Sequence, residues 1–281
     1  MCNNIESFVF IDIETTGLPW QERNRTKITE ICLISVSRRD LVTNCGNSPP
    51  ISKLSLFFNP RKAIHPEATR LSGLSNDLLR YAPTFEEKIG TINSFLEELQ
   101  KPVCLIAHNG NKFDYKIILA EFNDANASPP QHLFCVDSLI GFREIFKFGL
   151  TPHIYMDKKH VNKETEYNNI LTDDEDASEN EDWPELNVSA EDWVDIDELT
   201  AQLSEVVLHK SNANNIKLSA NGYNLSALYK RILNKEAVNA HRAENDCLML
   251  LECVTATKNV FIPWANRSCI KLTNIQPIVR Y

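Results

Sequence analysis

Phe8 to Ile13 is a β-rich apolar run that closes on Thr15-Thr16-Gly17-Leu18-Pro19, where glycine and proline punctuate the chain. The pattern predicts a buried strand ending in a turn. Ile31 to Val36 and Leu54 to Phe58 have the same texture, so a meander of three strands is expected first. Behind Pro83, the apolar positions Phe85, Ile89, Ile92, Leu96 and Leu99 recur every three or four residues, which predicts an amphipathic helix over 84–100. Val103 to Ala107 is a second buried strand, closed by His108-Asn109-Gly110. A helix over 113–122, a short strand over 133–136 and a helix over 138–148 follow. Strands that alternate with helices imply an α/β domain. Its mixed sheet is flanked by helices, and its site lies near the carboxyl ends of central strands.

Between about residues 151 and 215 aromatics thin out, acids dominate and periodicity fades, apart from a short helical pattern around 197–208. Regular structure is expected to resume with a helix over 223–233, a loop to His241 and a strongly apolar helix over 246–255, and to end at Pro263. The expected organisation is a single domain over 1–260, interrupted by an acidic, disordered insertion over 153–213 and followed by a tail over 261–281.

Composition changes this picture in one respect. The formal net charge of −9 argues against a polyanionic partner. However, residues 164–205 alone hold 16 acidic side chains and no Lys or Arg. The other 239 residues carry 29 basic and 22 acidic side chains, a net of +7. The body is mildly basic, and the insertion is either a solvated loop or a segment that competes with nucleic acid or takes a basic partner. With no apolar run near the roughly 18 residues of a membrane span and no signal-like N-terminus, a soluble, intracellular protein is expected, nucleus or cytoplasm unassigned. The eight cysteines form no CxxC pair and read as reduced thiols holding neither zinc nor disulfides.

The chemistry lies in the acids. Asp12 and Glu14 share one face of the first strand, about 6.6 Å apart along it. Two acids at the end of an apolar strand repel each other unless water, basic side chains or a cation compensates, and hard divalent cations take such oxygens. Asp114, in the first turn after His108-Asn109-Gly110, and Asp246, five residues after His241, each admit a plain reading as helix-terminal acids favoured by the macrodipole. A loop histidine such as His241 is ordinarily just solvated. The ordered set of strand Asp-x-Glu, turn-then-helix Asp and loop His-x4-Asp is a joint constellation that chance does not readily produce.

With these residues the chain resembles the DEDDh family of 3′-to-5′ exonucleases, and within it the three-prime repair (Trex) branch. The resemblance lies in Phe8-Val9-Phe10-Ile11-Asp12-Ile13-Glu14-Thr15-Thr16-Gly17-Leu18-Pro19, in Ala107-His108-Asn109-Gly110-Asn111-Lys112-Phe113-Asp114, and in His241-Arg242-Ala243-Glu244-Asn245-Asp246. Leu71-Ser72-Gly73-Leu74-Ser75 and Tyr223-Asn224-Leu225 are further landmarks. The resemblance implies a ribonuclease H-like fold and two Mg²⁺ ions, replaceable by Mn²⁺, held by Asp12, Glu14, Asp114 and Asp246, with His241 as general base. It implies a terminal-nucleotide pocket from Thr15, Thr16, Leu18, Leu71, His108 and Phe113, and a homodimer joined through the edge strand at 54–58. It further implies a 3′-to-5′ DNA exonuclease acting on single-stranded or frayed ends and releasing nucleoside 5′-monophosphates. The alternatives are a DEDDh exoribonuclease and a catalytically silent nucleic-acid-binding module. The membrane-bearing C-terminal extension of one Trex branch has no counterpart here, so membrane tethering is not expected.

Overall fold

The computed structural model describes residues 4–43, 49–147, 222–237 and 241–280. The acidic segment, including the helical pattern at 197–208, lies outside the described residues. The strands are β1 (Ser7–Thr15), β2 (Ile28–Ser37), β3 (Ser52–Phe57), β4 (Val103–Ala107), β5 (Phe134–Asp137) and β6 (Ile270–Lys271). They form a single mixed sheet in the order β3-β2-β1-β4-β5-β6. β1 to β3 pair antiparallel as a meander, β4 and β5 join β1 in parallel, and β6 closes antiparallel on β5. The mixed α/β architecture is thus the one that the alternation of patterns predicts.

Period-two alternation builds a core on each face of the sheet. Phe8 and Phe10, with Cys32, Ile34, Cys104 and Ile106, pack against α5 (Ser138–Lys147), α6 (Leu225–Leu233), α7 (Ala243–Ala256) and α8 (Lys258–Ser268). Val9, Ile11 and Ile13, with Ile31, Leu33 and Leu105, pack on the other face against α3 (Phe85–Glu97) and α4 (Asp114–Asp124). Two short helices, α1 (Arg38–Thr43) and α2 (Pro66–Ser72), complete the set among the described residues. Asp12 and Glu14 continue the series of Phe8 and Phe10, so strand parity alone turns both acids toward the layer that contains α7.

Local signals set the element ends. α3 begins behind a capping box in which the Thr84 hydroxyl accepts from the Glu87 amide while the Glu87 carboxylate accepts from the Thr84 amide. α2 has Pro66 at its first position and ends on Gly73 in the left-handed region (φ 73°). α7 begins three residues before the apolar pattern does, because Ala243 and Glu244 are good helix formers and the Asp246 amide already bonds the Arg242 carbonyl (3.1 Å).

The structure corrects the expectation that regular structure ends at Pro263. α8 runs through it, and the interior proline costs about 3 kcal/mol. Its neighbours Phe261, Ile262, Trp264 and Ala265 are all buried, and each large apolar side chain returns about 1.5–3 kcal/mol. Beyond α8, Leu272 is buried in the opposite core, and Ile275 and Ile278 pack against it.

Candidate metal and nuclease site

β1 and β4 run parallel, so their carboxyl ends open at the same side of the sheet. The β4–α4 turn there is unusually constrained. Asn109 adopts φ 62°, and a Cβ on Gly110 would sit 2.5 Å from the Cβ of Ala107 and 2.7 Å from the Tyr115 ring, which leaves room only for glycine. The fully buried Tyr115 hydroxyl accepts from the Ala107 amide (2.9 Å) and donates to the Val136 carbonyl (2.7 Å), tying the ends of β4 and β5 together. Asp137, at the end of β5, accepts from the amides of Asn109 (2.9 Å), Asn111 (3.1 Å) and Leu139 (3.0 Å). This framework delivers Asp114, almost fully buried, in the first turn of α4.

Carboxylate oxygens of Asp12, Glu14 and Asp246 lie within 4.8 Å of one another. Asp114 stands beside them: its charge is the leading electrostatic influence on Asp12. Burial, reinforced by the neighbouring acids, pushes the Asp12 carboxyl well above the usual carboxylate range. Burial does the same for Glu14, with Asp246 and Glu30 adding to it and Arg242 opposing. Asp114 is pushed up to about 8, chiefly by burial. Burial pushes Asp246 up to about 6, against the amide bond it accepts from His241. Among the described residues none of the four joins an ion pair.

Four converging carboxylates that repel one another and have no cationic partner of their own form a hard-oxygen donor set, and the residues present fit a divalent cation. His241 stands at the rim, in the left-handed region (φ 68°), its amide donating to Asp246 Oδ2 (3.1 Å). Partial desolvation, then the Arg70 guanidinium, lowers the pKa of its imidazole and favours the neutral ring.

The six residues expected to form the nucleotide pocket divide into two groups. Leu18, Leu71 and Phe113 are half-buried, and Leu71 lines a cleft of about 390 Å³ with Gly73, Arg70 and Arg242. The polar side chains of Thr15, Thr16 and His108 are engaged within the protein. Thr15 Oγ1 donates to the Gly17 carbonyl, while Thr16 Oγ1 donates to Glu22 (2.6 Å) and accepts from the Lys27 amide (3.0 Å). His108 bonds Ser138 Oγ through Nδ1 and the Tyr223 carbonyl through Nε2, both at 2.9 Å, and burial lowers its pKa to about 4. Reading the sequence missed Glu30 and Asp137. Their signal was present, because each is a charge within or at the end of an apolar strand, where an unpartnered carboxylate is costly.

The family model RNase_T, described as an exonuclease, matches residues 9–177, and the chain belongs to this exonuclease family. Three-prime repair exonuclease 1 of Bos taurus is 34% identical over 159 residues, covering 52% of this chain and 50% of that protein. Three prime repair exonuclease 2 of Mus musculus is 32% identical over 148 residues, covering 49% of this chain and 61% of that protein. The chain therefore spans about half to three-fifths of the length of these relatives. The zinc-bound crystal structure of an E. coli ExoI–ssDNA complex superposes with a TM-score of 0.54 at 15% identity, over 90% of this chain and 41% of that one, a likeness of fold alone. No helix among the described residues is long and apolar enough to cross a membrane.

Proposed function

We propose that this protein is a metal-dependent 3′-to-5′ exonuclease that acts on single-stranded or frayed DNA ends and releases nucleoside 5′-monophosphates. The observation that carries this reading is the group of four carboxylates without an ion-pair partner, the half-buried Asp12, Glu14 and Asp246 with the buried Asp114, and His241 at its rim. The DNA preference draws on the Trex-like motifs, while the net positive charge of the body outside 164–205 suits a nucleic acid of either kind.

The four carboxylates would hold Mg²⁺, two ions by analogy with the family, and Mn²⁺ would substitute. A divalent cation so held lowers the pKa of bound water and offsets charge on the phosphodiester. Hydrolysis places the water oxygen on phosphorus and breaks the bond to the 3′ oxygen; the imidazole of His241 takes the proton released from the water, and the departing 3′ oxygen takes one from solvent. Leu18, Leu71 and Phe113 offer apolar surface to the terminal base. Such contact tolerates any base, since each has a π-face.

The test is digestion of a 5′-labelled single-stranded DNA with Mg²⁺, with chelator, and by an Asp246→Asn variant. A ladder from the 3′ end that chelator and the substitution both abolish is expected. Cleavage of matched RNA in preference to DNA would overturn the substrate and leave an exoribonuclease. Silence on both would make the chain a binding module.

A further inference from the structure

We propose that Glu30 and Arg242 form an oppositely charged positioning pair that fastens the His241 loop to the sheet. The proposal rests on the reading of His241 as the base. Glu30 sits in the middle of the sheet with 1% of its surface exposed, directly opposite Glu14 across the β1–β2 ladder and next to the buried Ile31. A carboxylate there is costly unless paired, and replacing such a pair with apolar side chains is often neutral for stability. Packing alone therefore does not account for its presence.

Its partner is specific. Arg242 Nε donates to Glu30 Oε2 (3.0 Å) and the Arg242 terminal nitrogen donates to Oε1 (3.2 Å), a two-point grip that a lysine could not make. The guanidinium also lies 5.4 Å from the centre of the Phe57 ring on β3. Arg242 is the residue before α7 and makes no side-chain cap to that helix. The residue on one side of it is His241. Its own carbonyl accepts the Asp246 amide, and the Asp246 carboxylate accepts the His241 amide. The base, the ligand and the grip are thus one short run of backbone, held to β2 through Glu30. A second tie, Lys53 on β3 to Glu244, secures the following turn.

Charge explains why both partners are needed. Glu30 lies opposite Glu14 on the ladder and is paired with the Arg242 guanidinium, so the two together carry no net charge. Removing one partner leaves a net charge beside the carboxylates, whereas removing both adds none and takes away the grip.

The experiment compares wild type, Glu30→Gln, Arg242→Met, the double variant and His241→Ala. It measures the Mn²⁺ affinity of the metal-free protein, its Tm, and kcat and KM on a DNA oligonucleotide. In Glu30→Gln, the uncompensated guanidinium should weaken Mn²⁺ binding about 5- to 10-fold. The double variant should recover wild-type Mn²⁺ affinity, with Tm lowered by the unpartnered buried amide, and lose about 10- to 100-fold in kcat with KM little changed, because the loop is no longer fixed. A double variant with wild-type kcat, alongside an inactive His241→Ala, would overturn the positioning role and leave the base assignment standing. A fully active His241→Ala would instead remove the base assignment and the positioning role with it. A fall in Tm with unchanged kcat in the folded protein would reduce the pair to a structural one. If the wild type cleaves no DNA, the proposed function fails, and failure of the double variant to recover Mn²⁺ affinity would overturn the balance of charge independently.

Discussion

Asp114 would be an ordinary helix-terminal acid in most proteins; here burial pushes its pKa up to about 8, and Asp246 to about 6. An acid whose folded pKa lies above its unfolded value binds its proton more tightly in the native state. The stability it contributes is therefore present below the unfolded value and is lost as pH rises through the folded one. Metal-free protein should accordingly lose stability on going from about pH 5 to pH 8, and saturating Mg²⁺ should restore it by binding only the native state. Thermal denaturation at the two pH values, with chelator and with Mg²⁺, checks this. A metal-free Tm that rises with pH would mean that the four carboxylates do not repel one another as placed. Much of this was legible beforehand, since Asp12, Glu14, Asp114, His241 and Asp246 stood out by type and spacing. Glu30 and Asp137 did not, because a lone acid in an apolar strand does not reveal which basic group or backbone amides it will meet across the fold.

At the scale of elements, all five longer strands and five of the longer helices among the described residues were readable, because their apolar patterns match their place in the fold. The ends were less so. α7 starts on Ala243 and Glu244, which carry no apolar period, and α8 passes through a proline that sequence rules treat as a stop. α2 is only seven residues long, and its proline and glycine signals resemble those of a loop. β6, two residues, exists only because β5 offers it an edge. At the other end of the sheet β3 is terminal, with Phe57 and Ile51 exposed and no strand beyond it among the described residues. Such an edge is a ready template for a second strand. We expect two copies to join there, and light scattering of the full chain should return twice 32.0 kDa at micromolar concentration. A mass of one chain would overturn the dimer.

For the whole molecule, charge is distributed unevenly along the chain. The core also closes across the gap between the described segments. The Phe146 and Tyr223 rings lie 6.4 Å apart, Arg231 stacks on both at 4.2 and 4.6 Å, and His108 bonds the Tyr223 carbonyl. Replacing residues 164–205, with their 16 acids, by a short linker should leave folding and cleavage intact and tighten DNA binding at low salt. The gain should fade as the Debye length shrinks to about 3 Å at 1 M salt. Fluorescence anisotropy across a salt series measures it, and an unchanged affinity at low salt would discard any gating by the acidic segment.

The same stitched seam divides the chemistry between two peptides. Asp12, Glu14, Glu30 and Asp114 lie in the stretch before it, His241, Arg242 and Asp246 in the stretch after it, and neither stretch holds both the full donor set and the base. Cut at the seam, the molecule becomes a two-piece lock, whose halves would be inert apart and whose nuclease activity would report their reunion.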